Sequence, residues 1–230
     1  MATLTWLGHA AFRLESDRGK HIYVDPFLTG NPKAPDDAKR PERVDVIAIT
    51  HGHGDHVGDT VELSKSFPGA AIVAMNELKS WLGAQGATVG ELPGLNKGGS
   101  QEIDGVRFTL VNAFHSGSAP DGSYGGEPAG LVVRLEDGKT VYFAGDTCVF
   151  GDMQLIARLH RPDVAALPIG GWFTMDPREA ALALELLGNP RCVPCHYGTF
   201  PVLTGTPDEL AQAAPSARIE RVEPGGSIEV

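Results

Sequence analysis

Apolar and polar positions along the first half of the chain alternate in short runs that predict strands and a few helices. We predict strands over "LTWLGHAAFRLES" and "KHIYVDPFL", joined by a turn at Gly19, and a near-continuous apolar strand over "RVDVIAIT". "AAIVAM" predicts a further strand, residues 59–67 a short helix, and Asn76 the cap of a helix over 77–82. This half is expected to form a sheet with short helices.

The second half of the chain repeats this plan. Strands are predicted over "VRFTLVNAF", "AGLVVRLED", "KTVYFAGD", "DVAALPIG" and "RCVPCH". Helices are predicted over 153–159 and over "DPREAALALELLG", which Asp176 and Pro177 open.

One segment of the first half has an echo in the second. "FRLESDRGKHIYVD" resembles "VRLEDGKTVYFAGD", and each copy ends in or near an aspartate, Asp25 or Asp146. Chance similarity between two β-hairpins is one interpretation. The other is an internal duplication, which predicts two similar sheets packed face to face with helices outside.

Length and charge narrow the class of protein. A chain of 230 residues can bury one sizeable core, and we expect a single domain over residues 1–230. No segment is apolar enough for a membrane span, and the N-terminal residues lack a basic region before an apolar core, so we expect a cytoplasmic protein without a membrane partner. The net charge of −10 argues against nucleic acid as a partner.

The stretch "ITHGHGDHVGD" contains three of the eight histidines. His51 and His53 are two residues apart, so in extended backbone their side chains project to the same side. Gly52 and Gly54 allow a tight turn, after which Asp55 and His56 can enter the same space. Imidazole and carboxylate groups are ligands that zinc prefers. The loop is therefore expected to begin two adjacent metal sites.

Further candidate ligands stand where predicted strands end. His115 ends "LVNAFH", Asp146 ends "VYFAGD" and His196 ends "CVPCH". Ligands and catalytic groups gather at strand ends in open α/β folds. These three residues are expected to complete the metal sites.

Two other motifs compete for parts of this pattern. Gly52, Gly54 and Gly58 approach a dinucleotide-binding loop, but their spacing is one residue off. Cys192, Cys195 and His196 spell the C-x-x-C-H motif of c-type haem attachment. Because the motif falls in a predicted buried strand, we interpret both cysteines as small core residues and His196 as a ligand.

The pattern H-x-H-x-D-H followed by His, Asp and His resembles the metallo-β-lactamase superfamily, over essentially the whole chain. The resemblance implies an α/β fold, namely a four-layer αββα sandwich of two hairpin-containing halves. It implies two divalent metal ions, with zinc expected and manganese or iron as alternatives. The first metal would be held by His51, His53 and His115, the second by Asp55, His56 and His196, and Asp146 would bridge the two.

Shorter motifs narrow the resemblance. "GHAAF", "DPFLTGNP", "LPIG" and "FTM" are similar to a bacterial and archaeal family of metal-dependent hydrolases related to the ascorbate-6-phosphate lactonases. This implies a hydrolase that cleaves an ester-like bond, such as a lactone, in an anionic small molecule by means of a metal-bridging hydroxide. Asp55 would be the catalytic residue that orients this hydroxide. The alternatives are a phosphodiesterase acting on a small nucleotide or lipid-like phosphodiester, and a non-catalytic metal-binding sensor.

Residues that would border the cleft are less well defined by the sequence. We expect His9, Trp172 and Tyr197 to bind substrate, and Asp25 to support a metal ligand. Trp172 stands where the family is expected to have a polar residue, which weakens any transfer of a substrate. The surroundings of Trp81 and Trp172 fit either a substrate pocket or the contacts of a homo-oligomer.

Overall fold

The computed structural model describes residues 1–230, and its strands form two sheets of six. In chain order the strands are β1 (Thr3–Trp6), β2 (Phe12–Glu15), β3 (His21–Val24), β4 (Val46–Ala48), β5 (Ala71–Val73), β6 (Ser100–Ile103), β7 (Val106–Asn112), β8 (Ala129–Arg134), β9 (Thr140–Phe143), β10 (Val164–Pro168), β11 (Arg191–Cys195) and β12 (Ser227–Glu229). The first sheet has the order β12-β1-β2-β3-β4-β5, and the second has the order β11-β10-β9-β8-β7-β6.

Six helices accompany the sheets. They are α1 (Gly54–Val57), α2 (Thr60–Ser66), α3 (Asn76–Ala84), α4 (Met153–His160), α5 (Pro177–Leu186) and α6 (Pro207–Ala213). The longest, α5, has 10 residues, and no helix has the length and apolar character needed to cross a membrane.

The two sheets share one pairing scheme. From β12 to β5, three antiparallel pairings are followed by two parallel ones, and the same succession runs from β6 to β11. The repeated hairpins of the sequence are β2-β3 and β8-β9, which occupy equivalent places in this scheme. The prediction of two similar sheets is therefore confirmed.

A shared core holds the sheets face to face. Inward-facing side chains of both sheets form one buried apolar cluster, in which the rings of Phe12 on β2 and Phe143 on β9 are 5.4 Å apart. A second cluster packs α4, α5 and α6 against the outer face of the second sheet, while α2 and α3 pack against the first. The result is the predicted αββα sandwich.

Some predicted elements differ from the structure. "LTWLGHAAFRLES" is not one strand but two, β1 and β2, because the chain reverses at Gly8, where the backbone φ is +91°. "RVDVIAIT" yields only the three-residue β4. Asn76 does not cap α3: it is the first helical residue, and its N–H donates to the carbonyl of Leu95.

The capping residues of α5 and α6 are both visible in the local sequence, but only α5 was predicted. Asp176 caps α5 as predicted, its carboxylate accepting hydrogen bonds from the N–H groups of Arg178 and Glu179 at 2.9 and 2.8 Å. The prediction missed α6, although Thr206 and Glu209 form a capping box around its first turn.

Candidate metal centre

The predicted ligands follow strands at one edge of the sandwich. In the second sheet, β7, β9, β10 and β11 run in the same direction, because β8 is antiparallel to both β7 and β9. His115, Asp146 and His196 stand within three residues of the ends of β7, β9 and β11, and His51 stands three residues after β4. The topology thus brings together residues that are up to 145 positions apart in the sequence.

The histidine loop is shaped by close backbone contacts. A Cβ at Gly52 would lie 2.8 Å from the carbonyl oxygen of Ser118, so glycine is required there. His51 Nε2 and His53 Nδ1 lie 3.0 Å apart, which places both side chains on the same side, as predicted. The short helix α1 then directs Asp55 and His56 into the same region.

Two groups of side chains could each hold a metal ion. In each group the potential ligand atoms all lie within 4.8 Å of one another. The first group is His51, His53, His115 and Asp146, and the second is His9, Asp55, His56 and His196. The second group contains the three predicted ligands and, in addition, His9.

Asp146 belongs to the first group and also contacts the second. One of its carboxylate oxygens, Oδ1, is 3.2 Å from His56 Nε2, while Oδ2 is 3.2 Å from His196 Nε2 and 3.5 Å from His115 Nε2. A carboxylate in contact with histidines of both groups could be a ligand to a metal ion held by either one.

Several buried polar atoms of the centre lack a hydrogen-bond partner, which provides a test of whether metal ions fit it. They are His9 Nδ1, His56 Nε2, Asp146 Oδ1, and both ring nitrogens of His196. Buried polar groups are nearly always paired, because an unpaired one is costly. Imidazole nitrogen and carboxylate oxygen are the donors that a divalent metal takes, so the residues present fit such ions.

Asp25 supports His56 from the side away from Asp146. Its Oδ2 is 2.8 Å from His56 Nδ1 and accepts the hydroxyl of Thr50 at 2.7 Å, while Oδ1 accepts the N–H of Thr50 at 2.8 Å. A carboxylate at Nδ1 fixes the proton there and leaves Nε2 free to bind a metal. Thr50 was missed from the sequence, although it stands directly before His51.

Neighbouring charges shift the pKa of His56 and the pKa of Asp146 in the direction opposite to the shift that burial alone would produce. Burial acts to lower the pKa of His56, but the carboxylates of Asp146 and Asp25 outweigh it and raise that pKa well above its usual value. Burial acts to raise the pKa of Asp146, but the rings of His196 and His56 hold it well below its usual range. Metal binding would therefore displace a proton from His56.

His9 is the partner of Asp55. Its side chain is fully buried, and its Nε2 lies 3.0 Å from Asp55 Oδ2. Burial lowers the pKa of His9 to about 4, although the hydrogen bond to Asp55 acts in the opposite direction. His9 is thus neutral at pH 7, and because an ionised carboxylate can only accept, His9 donates Nε2–H to Asp55.

Backbone strain is concentrated in and around the centre. Seven residues other than glycine have a positive φ, and four of them are His9, Asp25, Trp172 and His196. His9 is held in this conformation from both sheets, since its carbonyl accepts the indole N–H of Trp6 and the backbone N–H of His196, each at 2.9 Å. Such strain persists where the surrounding structure enforces it, and it clusters at functional sites.

The three predicted substrate-binding residues have different surroundings. His9 lies on the floor of the centre, in contact with Asp55. Trp172 is exposed at the edge of the sandwich where β10 ends. Tyr197 stacks on Trp6 with ring centroids 5.2 Å apart and lines a separate cavity of about 350 Å³ with Lys33 and Arg221.

The cysteines form no disulfide. Cys192 and Cys195 are buried in β11, as predicted, and burial raises the pKa of both thiols far above the usual value. Since a thiolate is the form that reacts, neither cysteine is suited to redox chemistry. His196 turns instead toward Asp146.

Comparison with known proteins places the chain in a family. Residues 20–197, which include all seven predicted metal ligands, match the family described as "Beta-lactamase superfamily domain". A UPF0173 metal-dependent hydrolase from Koribacter versatilis is 45% identical over 225 residues, covering 96% of this chain and 95% of the relative. One from Methanosarcina mazei is 42% identical over 235 residues, covering 99% and 98%.

Solved structures agree with this placement. The structure of a metallo hydrolase from the archaeon Ignicoccus hospitalis, with 36% sequence identity, superposes with a TM-score of 0.87 over 100% of this chain and 99% of that one. The diiron β-hydroxylase CmlA from Streptomyces venezuelae, 14% identical, shares only the fold, with a TM-score of 0.77 over 100% of this chain and 54% of that one. The chain therefore belongs to the beta-lactamase superfamily and, within it, to the UPF0173 metal-dependent hydrolases.

Proposed function

We propose that the protein is a dinuclear hydrolase that cleaves an ester-like bond, such as a lactone, in an anionic small molecule. One observation carries the proposal: two groups of His and Asp side chains that could each hold a metal ion adjoin each other, and Asp146 of the first group contacts His56 and His196 of the second. Structural zinc sites are normally single and closed by protein ligands, so a shared pair favours catalysis over a sensor role.

The ligands would divide between two metal ions. His51, His53 and His115 would hold one, Asp55, His56 and His196 the other, and Asp146 both. We propose zinc, with manganese or iron as alternatives that the same donors accommodate. When bound, two such ions supply Lewis acidity and lower the pKa of water at the site.

Asp55 is the residue placed to orient the attacking water. Its side chain is 30% exposed, whereas the side chains of Asp146 and Asp25 are nearly inaccessible. Burial acts to raise the pKa of Asp55, but the hydrogen bond from His9 and the nearby ring of His56 hold it below its usual range. Asp55 therefore stays ionised and is held in one orientation by His9, so that its carboxylate can accept a hydrogen bond from the attacking water and orient it.

The charge balance of the centre favours an anionic substrate. Against the charge of two bound divalent cations, the carboxylates of Asp55 and Asp146 leave the centre net positive. The chain as a whole is acidic, with a net charge of −10 before any metal ion is counted. An anion would thus be attracted to this edge of the sandwich and repelled elsewhere.

We expect His53→Ala to reduce hydrolysis by about 100-fold or more, because even an outer partner of a metal ligand is worth 10- to 100-fold. The measurement is turnover of an aryl ester, a carboxylate-bearing lactone and bis-p-nitrophenyl phosphate by metal-loaded protein. His160→Ala, which changes a histidine at the end of α4 outside the centre, is the matched control.

The outcomes separate the candidate functions. Hydrolysis of the lactone or ester, lost in His53→Ala but kept in His160→Ala, supports the proposal. Hydrolysis of the phosphodiester alone would indicate the phosphodiesterase. Metal-loaded protein that turns over none of the three would contradict a hydrolase and favour a sensor.

A further inference from the structure

The exposed aromatic side chains of the protein are confined to the edge that carries the metal centre. Five are exposed: Phe114, Tyr124, Trp172, Phe173 and Phe200. Phe114 stands directly before His115, Tyr124 lies in the same loop, and Phe200 lies four residues after His196. Trp172 and Phe173 follow β10. In the sheet, β10 lies between β9, which leads to Asp146, and β11, which leads to His196. We call these five residues the aromatic rim.

Backbone hydrogen bonds join the loops of the aromatic rim. Both involve Thr147, which follows Asp146. Its carbonyl accepts the N–H of Met175 at 3.1 Å, and its hydroxyl oxygen accepts the N–H of Phe114 at 3.0 Å. The loop after His196 contacts the centre through Phe200, whose ring lies 5.4 Å from that of His9. The loops that carry the aromatic rim are therefore joined to one another beside Asp146 and His9.

Trp172 is presented to solvent by a strained backbone. Its φ is +56°, which is rare for a bulky residue, and its side chain is 77% exposed. The turn is closed by backbone hydrogen bonds: Gly171 N–H donates to the carbonyl of Met175, and the N–H groups of Phe173 and Thr174 donate to the carbonyl of Gly171. Neither the strain nor the apolar area left in water stabilises the folded chain, and strain of this kind gathers at ligand-binding sites.

We propose that the aromatic rim binds the apolar body of the substrate, an alkyl chain or aryl group, while its hydrolysable polar end reaches the metal centre. This inference rests on the proposed function and names the substrate class: an amphiphilic ester or lactone. A large apolar patch around a recessed polar site marks a ligand groove. Solvent reaches the side chains of Asp55 and His115, which are 30% and 12% exposed, so the centre is open to a ligand at this edge.

The test is the dependence of ligand affinity on chain length. The probes are straight-chain carboxylates from acetate to decanoate, titrated calorimetrically into zinc-loaded protein. We expect affinity to rise about 2- to 4-fold for each methylene that the aromatic rim covers. Because Trp172 is the one highly exposed tryptophan, decanoate should also shift its fluorescence to the blue, whereas acetate should not.

Two variants localise the effect. In Trp172→Ala and Phe173→Ala the gain per methylene should fall, while acetate binds as it does to the wild type. Leu159→Ala is the matched control, because Leu159 is also 77% exposed but lies on α4, outside the aromatic rim. This variant should keep the wild-type dependence on chain length.

Each outcome decides the inference separately from the proposed function. Equal affinity for short and long carboxylates would overturn the inference, even if short esters are hydrolysed. Chain-length dependence that the two aromatic variants lose would support it, even if no ester is turned over and the hydrolase proposal fails. The inference is also wrong if the aromatic rim is a subunit contact. In that case the wild type would self-associate in sedimentation experiments and the two variants would be monomeric, while their affinity would depend on chain length as in the wild type.

Discussion

We expect Asp146→Ala to bind at most about one metal ion per chain and to lose hydrolysis by a factor of about 1,000 or more. The carboxylate of Asp146 lies within 3.5 Å of histidines from both ligand groups. Its loss removes a ligand from each ion, so the effect should exceed the 10- to 100-fold cost of losing an outer partner. Elemental mass spectrometry of the reconstituted variant, together with its turnover, checks the prediction.

Asp152→Ala is the matched control for this variant. Asp152 is an exposed aspartate six residues further along, before α4, and its side chain makes no capping hydrogen bond. It should keep the metal content and turnover of the wild type. A folded Asp146→Ala variant with the wild-type metal content would show that Asp146 does not bridge the two groups.

Asp25→Asn should weaken the binding of metal by about 10- to 100-fold while the protein stays folded. The substitution suits the position, because Asp25 has a φ of +46°, a conformation that asparagine also tolerates. It removes the negative charge that raises the pKa of His56. It also replaces the carboxylate that accepts hydrogen bonds from His56 Nδ1 and from the Thr50 hydroxyl with an amide, which can accept fewer of them. Competition with a chelator of known affinity measures the change.

The control for Asp25→Asn is Asp163→Asn. Asp163 also accepts a backbone N–H, from Thr140, and contacts a second side chain, Lys139, but it lies at the start of β10, opposite the metal centre. We expect its metal affinity to equal that of the wild type. If Asp25→Asn binds metal within a factor of about 3 of the wild type, Asp25 does not orient His56.

The sequence predicted which histidines and aspartates gather at one edge of the sandwich, because these residues follow local rules. The spacing of His51 and His53, and the position of His115, Asp146 and His196 after apolar runs, are visible in the chain itself. The repeated hairpin likewise predicted two equivalent sheets. These features depend on periodicity and strand direction, which a single sequence records.

What the sequence did not predict depends on contacts between distant segments. The hydrogen bond from His9 to Asp55 spans 46 residues and requires a positive φ at His9, a choice that only the packing of the two sheets enforces. The role of Thr50 depends on Asp25 arriving beside it from β3. The short strands β6 and β12 are edge strands with weak apolar patterns, so tertiary pairing decides them.

We propose above that one chain holds two metal ions that share a carboxylate. The most direct test is the metal content of untagged protein, reconstituted with zinc or manganese, dialysed, and measured by elemental mass spectrometry against protein concentration. For a dinuclear site we expect about two ions per chain. A content of about one ion per chain at saturation, or of none, would contradict it.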